Sequence, residues 1–131
     1  MCKVNLSEYK RLINLSVYED NLYLQGYDII AGIDEAGRGA LAGPIVAAAV
    51  ILPRSSYFIE GINDSKKLKE EYRNDLYGKI TECCISFGIG KAGSKRIDSV
   101  NIGKANKEVF GNALSDLKIK PQIVITDALS F

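Results

Sequence analysis

The chain has 131 residues, of which 47% are hydrophobic and 25% are charged, and its formal net charge is +1. This composition is typical of one globular domain and confines any phosphate-binding surface to a local patch. The absence of histidine removes the commonest general base and zinc ligand, so hydrolysis would have to rely on carboxylates and hard metal ions. The cysteine spacing, the lack of a signal-peptide pattern and the lack of a long apolar run predict a cytoplasmic protein without a membrane segment.

The N-terminal part of the sequence is predicted to be helical. Residues 5–25 carry apolar side chains at roughly helical spacing, and Gly26 is suited to end a helix. We therefore predict a helical extension over residues 1–27 and a domain over residues 28–131.

The remainder predicts an α/β domain. The apolar run from Ile29 to Asp34 predicts a short buried strand, and Asp64 or Ser65 is expected to cap a later helix. The other predicted elements are a strand over 45–52, a helix to about residue 82, a strand over 84–92, a helix over 102–117 and a strand over 123–126. This alternation of strands and helices is typical of an α/β sheet protein.

Acidic residues follow two of the predicted strands. Asp34 and Glu35 come at the end of the first strand and Asp127 at the end of the last. Consecutive strand residues point to opposite faces, so Asp34 and Glu35 can share a site only if the backbone bends, as glycines permit. If the two strands are neighbours, three carboxylates meet and suit Mg2+ or Mn2+. Asp127 considered alone is better explained as an acid that begins a turn.

The segment from Ile30 to Pro44 contains Asp-Glu-Ala-Gly-Arg-Gly followed by Leu-Ala-Gly-Pro. It resembles the signature of the ribonuclease HII family, the type 2 ribonucleases H. The resemblance implies an α/β fold with a ribonuclease-H-like mixed sheet flanked by helices. It also implies a metal-dependent endonuclease of DNA replication and repair. Such an enzyme cleaves the RNA strand of RNA–DNA hybrids and cuts at ribonucleotides embedded in duplex DNA, by two-metal hydrolysis with Mg2+ or Mn2+.

The resemblance assigns roles residue by residue. Asp34, Glu35 and Asp127 fall where the family has its first three acidic metal ligands, which are also its catalytic residues. The expected substrate-binding residues are Gly37, Arg38, Gly39, Asn63, Ser65, Lys66, Lys67 and Asn101. A backbone without bulky side chains at Gly37 and Gly39 would approach the ribose 2′-hydroxyl, which distinguishes RNA from DNA. Arg38 is either a phosphate contact or a structural counter-ion, and Lys66 and Lys67 are either phosphate ligands or solvated residues of a capped helix.

The resemblance covers the N-terminal portion of a family member. The family continues beyond the position of Phe131 and supplies a fourth acidic ligand and a stacking tyrosine. We therefore expect a sheet truncated after its fourth strand and little activity from this chain alone. The alternatives are a catalytically weak fragment that binds hybrids and a remnant that self-associates, although family members are usually monomeric.

Overall fold

The computed structural model describes residues 7, 10–11, 17–36, 44–54 and 69–126. In chain order the elements are α1 (Val17–Leu24), β1 (Ile30–Ala36), β2 (Ile45–Ile51), α2 (Glu70–Cys83), β3 (Ser86–Ala92), α3 (Ser94–Val100), α4 (Ile102–Asp116) and β4 (Ile123–Thr126). In the ranges given above, no helix has the length and apolar character needed to span a membrane. The chain forms two compact units, one of Met1–Asp28 with Leu52–Cys84 and the other of Ile29–Ile51 with Ile85–Phe131.

The first unit contains α1 and α2. Helix α1 ends at Leu24, and Gly26 follows with a positive φ of 99°. The Gly26 N–H donates to the Tyr23 carbonyl and the Tyr27 N–H to the Leu22 carbonyl, which is the hydrogen-bond pattern of a Schellman helix end. The prediction that Gly26 terminates this helix is confirmed.

Helix α2 begins later than the sequence pattern indicated. Its N-cap is Lys69, whose side chain makes no capping hydrogen bond, and Glu70 and Glu71 occupy the first turn. The prediction that Asp64 or Ser65 caps this helix is therefore wrong. Two carboxylates in the first turn instead interact favourably with the positive end of the helix dipole.

The second unit is built on a four-stranded mixed sheet in the order β3-β2-β1-β4. Strand β1 pairs antiparallel with β2 and parallel with β4, and β2 pairs antiparallel with β3. The predicted mixed sheet with helices is confirmed. Strand β1 runs two residues further than predicted, because its ladder with β2 continues through Ala36 opposite Val46.

Helix α4 covers one face of this sheet. The buried cluster consists of Ala31, Ile33, Ile45, Ala47, Ala49, Ile51, Ala92, Ala105, Val109, Phe110, Ala113 and Leu117. The side chains of β2 alternate as a half-covered strand requires, with Ile45, Ala47, Ala49 and Ile51 facing the helix. Burial of these apolar side chains is the principal source of stability for the unit.

Two glycines of β3 bring α4 close to the sheet. A β-carbon added to Gly88 would lie 2.9 Å from the Leu117 nitrogen, and one added to Gly90 would lie 2.9 Å from the Ala113 nitrogen. The helix backbone therefore rests directly on the strand. The Asp116 carboxylate accepts a hydrogen bond of 2.9 Å from the Ile89 N–H and ties the helix to this edge strand.

Candidate active site

Strand β1 carries the first two predicted acidic residues. Asp34 is exposed and Glu35 is half-buried, and both lie within the regular strand. Their partners across the ladder are Ala48 and Ala47, so the two carboxylates belong to opposite faces of the sheet. Pairing with β2 keeps the backbone extended through Ala36, and the bend that Gly37 and Gly39 were expected to permit lies outside the described residues.

The backbone between the two acids holds one of them in place. The Glu35 N–H donates a hydrogen bond of 2.8 Å to Oδ1 of Asp34. A carboxylate that accepts a backbone hydrogen bond loses rotational freedom. Asp34 is therefore fixed close to the strand backbone.

Strand β4 lies beside β1 and runs parallel to it. Their last described pair is Ile33 with Thr126, one residue before Asp34 on one strand and one residue before Asp127 on the other. The carboxyl ends of parallel strands lie at the same end of a sheet. The prediction that β1 and β4 are neighbours is therefore confirmed. Asp127 itself lies outside the described residues. Among the residues that are described, no three His, Cys, Asp or Glu side chains form a group that could hold a metal ion.

Most of the predicted substrate-binding residues also lie outside the described ranges. They are Gly37, Arg38, Gly39, Asn63, Ser65, Lys66 and Lys67. Their roles stay predictions.

Asn101 is described, and it sits at the junction of α3 and α4. Its φ of 76° and ψ of 163° are unusual for a residue with a β-carbon. Its Oδ1 accepts a hydrogen bond of 3.0 Å from the Lys104 N–H and caps α4, while its own N–H closes α3 on the Ile97 carbonyl. This geometry is a sufficient structural reason for asparagine here, and contact with substrate stays a prediction.

An ion pair fastens α3 to α4 beside this junction. Arg96 donates from Nη2 to Oε1 of Glu108 at 2.6 Å and from Nε to Oε2 at 3.0 Å. These hydrogen bonds from Arg96 lower the pKa of the Glu108 carboxyl and raise the pKa of the guanidinium. The pair stabilises the packing of the short helix on the long one.

Two features of the site region escaped the sequence patterns. Helix α3 was not predicted, because its seven residues are too few for a clear helical repeat. Asn106 was not singled out, although it stands among the apolar side chains of α4 and is only 4% exposed. A polar residue at a buried position of a helical repeat was the available signal.

The mixed sheet, the helix across one face and the acids at the end of the central strand together define a ribonuclease-H-like protein. The family profile described as Ribonuclease HII matches residues 31–130. The chain is 50% identical over 122 residues to ribonuclease HII of Acetivibrio thermocellus, which covers 93% of this chain and 47% of the relative. The chain belongs to the ribonuclease HII family.

Solved structures agree with this assignment of fold. The chain resembles the ribonuclease H2 of Pyrococcus horikoshii OT3 with a TM-score of 0.67 at 30% identity, over 78% of this chain and 52% of that chain. A Bst ribonuclease HIII in complex with Mn2+ matches with a TM-score of 0.61 at 20% identity, over 83% of this chain and 39% of that one, and supports the fold alone. The chain thus spans about half the length of its relatives.

Proposed function

We propose that this chain contributes the first three acidic ligands of a ribonuclease HII active site. The proposed reaction is cleavage of the RNA strand of RNA–DNA hybrids, and of duplex DNA at embedded ribonucleotides, during replication and repair in the cytoplasm. Asp34, Glu35 and Asp127 are the proposed catalytic residues and would hold Mg2+ or Mn2+. Family membership supports the class of reaction, and the strand register supports the pairing of Asp34 with Asp127.

The parallel pairing of β4 with β1 carries this proposal. Ile33 pairs with Thr126, so continuation of the same register by one residue would pair Asp34 with Asp127. Residues paired across a parallel ladder have their β-carbons on the same face of the sheet, about 5 Å apart. Two carboxylates at that separation can share one cation.

The described acids fit a hard divalent cation. Asp34 offers an exposed carboxylate whose Oδ1 is fixed by the Glu35 N–H. Carboxylate oxygens are the ligands that Mg2+ and Mn2+ prefer, and a chain without histidine offers no imidazole. Glu35 lies on the other face at the end of the strand, so a shared site requires its side chain to reach around the sheet edge.

The chemistry requires one water and one phosphodiester. When bound, a divalent cation pair supplies an activated water and neutralises charge on the departing oxygen. The water oxygen forms the new bond to phosphorus and the bond to the 3′-oxygen breaks. The water releases one proton to solvent and the 3′-oxygen takes one up, which leaves a 5′-phosphate and a 3′-hydroxyl. Asp34, Glu35 and Asp127 contribute by positioning charge where it develops.

Substrate recognition would come from the residues that the family resemblance assigns to it. We propose that the backbone of Gly37, Arg38 and Gly39 contacts the ribose 2′-hydroxyl. Asn63, Ser65, Lys66 and Lys67 would contact phosphates near the start of α2. Asn101 lies at the N-terminus of α4 and would contribute from that position.

The experiment is a nicking assay on duplex DNA with one ribonucleotide, in Mn2+ and in Mg2+. Asp34→Asn should lower the rate by at least about a hundredfold, since removal of a direct ligand costs more than removal of a supporting group. The matched control is Asp98→Asn, an exposed acid on α3, and its rate should equal that of the unaltered chain. Equal loss in both variants, or no loss in either, would contradict the proposed role of Asp34.

The same assay separates this proposal from the alternative of a weak hybrid-binding fragment. Because the chain spans about half of its relatives, it should be assayed at high concentration and in parallel for binding. Binding of the ribonucleotide duplex over plain DNA, without nicking, would favour the binding fragment.

A further inference from the structure

Asn106 is a buried polar residue without an evident structural task. Its side chain stands on the inner face of α4, with 4% of the residue exposed. Its Oδ1 is buried and has no hydrogen-bond partner in the part of the chain that the structure describes. Buried polar atoms are nearly always paired, so an unpaired one in a well-packed unit requires an explanation.

The helix geometry places Asn106 on the buried face of α4, which covers the sheet. Asn106 and Phe110 are four residues apart and therefore share one flank, one turn from each other. Phe110 belongs to the same buried cluster as Ala31 and Ile33 of β1.

The direction of the helix brings Asn106 toward the acidic end of β1. Gly88 lies against Ala113 and Leu117, whereas Gly90 lies against Val109 and Ala113, so α4 runs antiparallel to β3. Strand β1 is parallel to β3, since each is antiparallel to β2. The N-terminal turns of α4 therefore lie at the carboxyl end of β1.

The sheet register places Glu35 near this end of α4. Glu35 pairs with Ala47 and Ala47 pairs with Gly90. Gly90 lies against Val109, which is three residues, about one helical turn, from Asn106. Glu35 shares its face with Ile33 and Ala31, the face that α4 covers. Asn106 and the half-buried Glu35 thus belong to the same face and the same end of the sheet.

We propose that Asn106 is a positioning residue for Glu35. Its carboxamide oxygen accepts one hydrogen bond from an ordered water, and that water donates its other proton to the Glu35 carboxylate. The water satisfies the buried oxygen and restricts the carboxylate to the orientation needed to hold a divalent cation. This inference rests on the proposed function, because it takes Glu35 to be a cation ligand.

The test measures Mn2+ affinity by calorimetry and the thermal midpoint of the cation-free chain. Asn106→Leu keeps the size of the side chain and removes the acceptor. It should weaken Mn2+ binding by about tenfold or more, the effect usual for groups that orient metal ligands. It should leave the thermal midpoint unchanged or raise it, because a buried unpaired oxygen is gone.

Matched variants isolate the acceptor. Asn112→Leu changes an exposed asparagine of the same helix and should not alter Mn2+ affinity. Threonine and valine have nearly the same shape, but only threonine carries a hydroxyl that can accept the hydrogen bond from water. Asn106→Thr should therefore bind Mn2+ more tightly than Asn106→Val.

The outcomes distinguish the inference from the proposed function. If Glu35→Gln abolishes Mn2+ binding but Asn106→Leu binds as the unaltered chain does, the inference is overturned and the proposed site stands. If Asn106→Leu lowers both the affinity and the thermal midpoint, Asn106 is merely structural and the inference fails. If Glu35→Gln leaves Mn2+ binding intact, the proposed role of Glu35 and this inference fail together.

Discussion

The close contact between α4 and β3 makes Gly90 a sensitive position in the unit that carries the acids. An alanine β-carbon there would lie 2.9 Å from the Ala113 nitrogen and closer still to the Val109 carbonyl oxygen. Relief of that overlap requires α4 to move by about 1 Å, and overpacking of this kind costs roughly 1–3 kcal/mol. The lower entropy of the unfolded alanine chain returns about 0.5–1 kcal/mol. We therefore expect Gly90→Ala to destabilise the chain by about 1 kcal/mol.

Urea unfolding followed by circular dichroism measures this change. The matched control is Gly111→Ala in α4, where an added β-carbon meets nothing within 4 Å. The free energy of unfolding of that variant should rise by up to about 1 kcal/mol, because alanine is a better helix former than glycine. The reasoning about close packing would be refuted if Gly90→Ala were as stable as the unaltered chain, or if both variants changed stability in the same direction.

Two further predictions concern the junction of α3 and α4. Asn101→Ala should lose about 1 kcal/mol of stability, because the helix cap is missing. Asn101→Gly should be at least as stable as the unaltered chain, because glycine accepts a φ of 76° without the strain of about 1–3 kcal/mol that other residues carry there. Thermal unfolding of both variants checks this order, and a glycine variant less stable than the alanine variant would contradict it. The hydrogen bond from Arg96 lowers the pKa of Glu108 below its usual 4.5, so the stabilisation is complete above that value and is lost as the pH falls through the lowered folded pKa. Unfolding measured from pH 6 to about pH 3 should therefore show a steeper loss for the unaltered chain than for Glu108→Gln, and parallel profiles would count against the pair.

The elements that the sequence predicts well are those with strong local patterns. The β-branched run of β4 and the apolar flanks of β2 predicted strands that the structure confirms at Ile123–Thr126 and Ile45–Ile51. The long apolar repeat of α4 predicted a helix over 102–117, found at Ile102–Asp116. In each case side-chain pattern and backbone preference favour the same structure.

Features set by partners elsewhere in the chain were not predictable. The extension of β1 through Ala36 depends on its ladder with β2, not on its own residues. Glycine weakens a strand by its own backbone preference, but Gly88 and Gly90 of β3 are sites of close helix approach. Asn101, with its positive φ, ends α3 and begins α4. The apolar repeat in the sequence did not show that two helices meet there. At the candidate site, the acids after β1 and β4 were enough to suggest that these two strands are neighbours. The burial of Asn106 could be recognised only from the folded structure.

The central claim is that Asp34, Glu35 and Asp127 surround one divalent-cation site at the end of β1 and β4. Anomalous diffraction from crystals grown with Mn2+ tests it most directly, because the signal locates the metal without reference to activity. We predict a peak within about 2.5 Å of carboxylate oxygens from Asp34 and Asp127, lost in crystals of Asp34→Asn. A well-ordered peak bound elsewhere on the chain, or Asp127 ordered away from Asp34, would contradict the account.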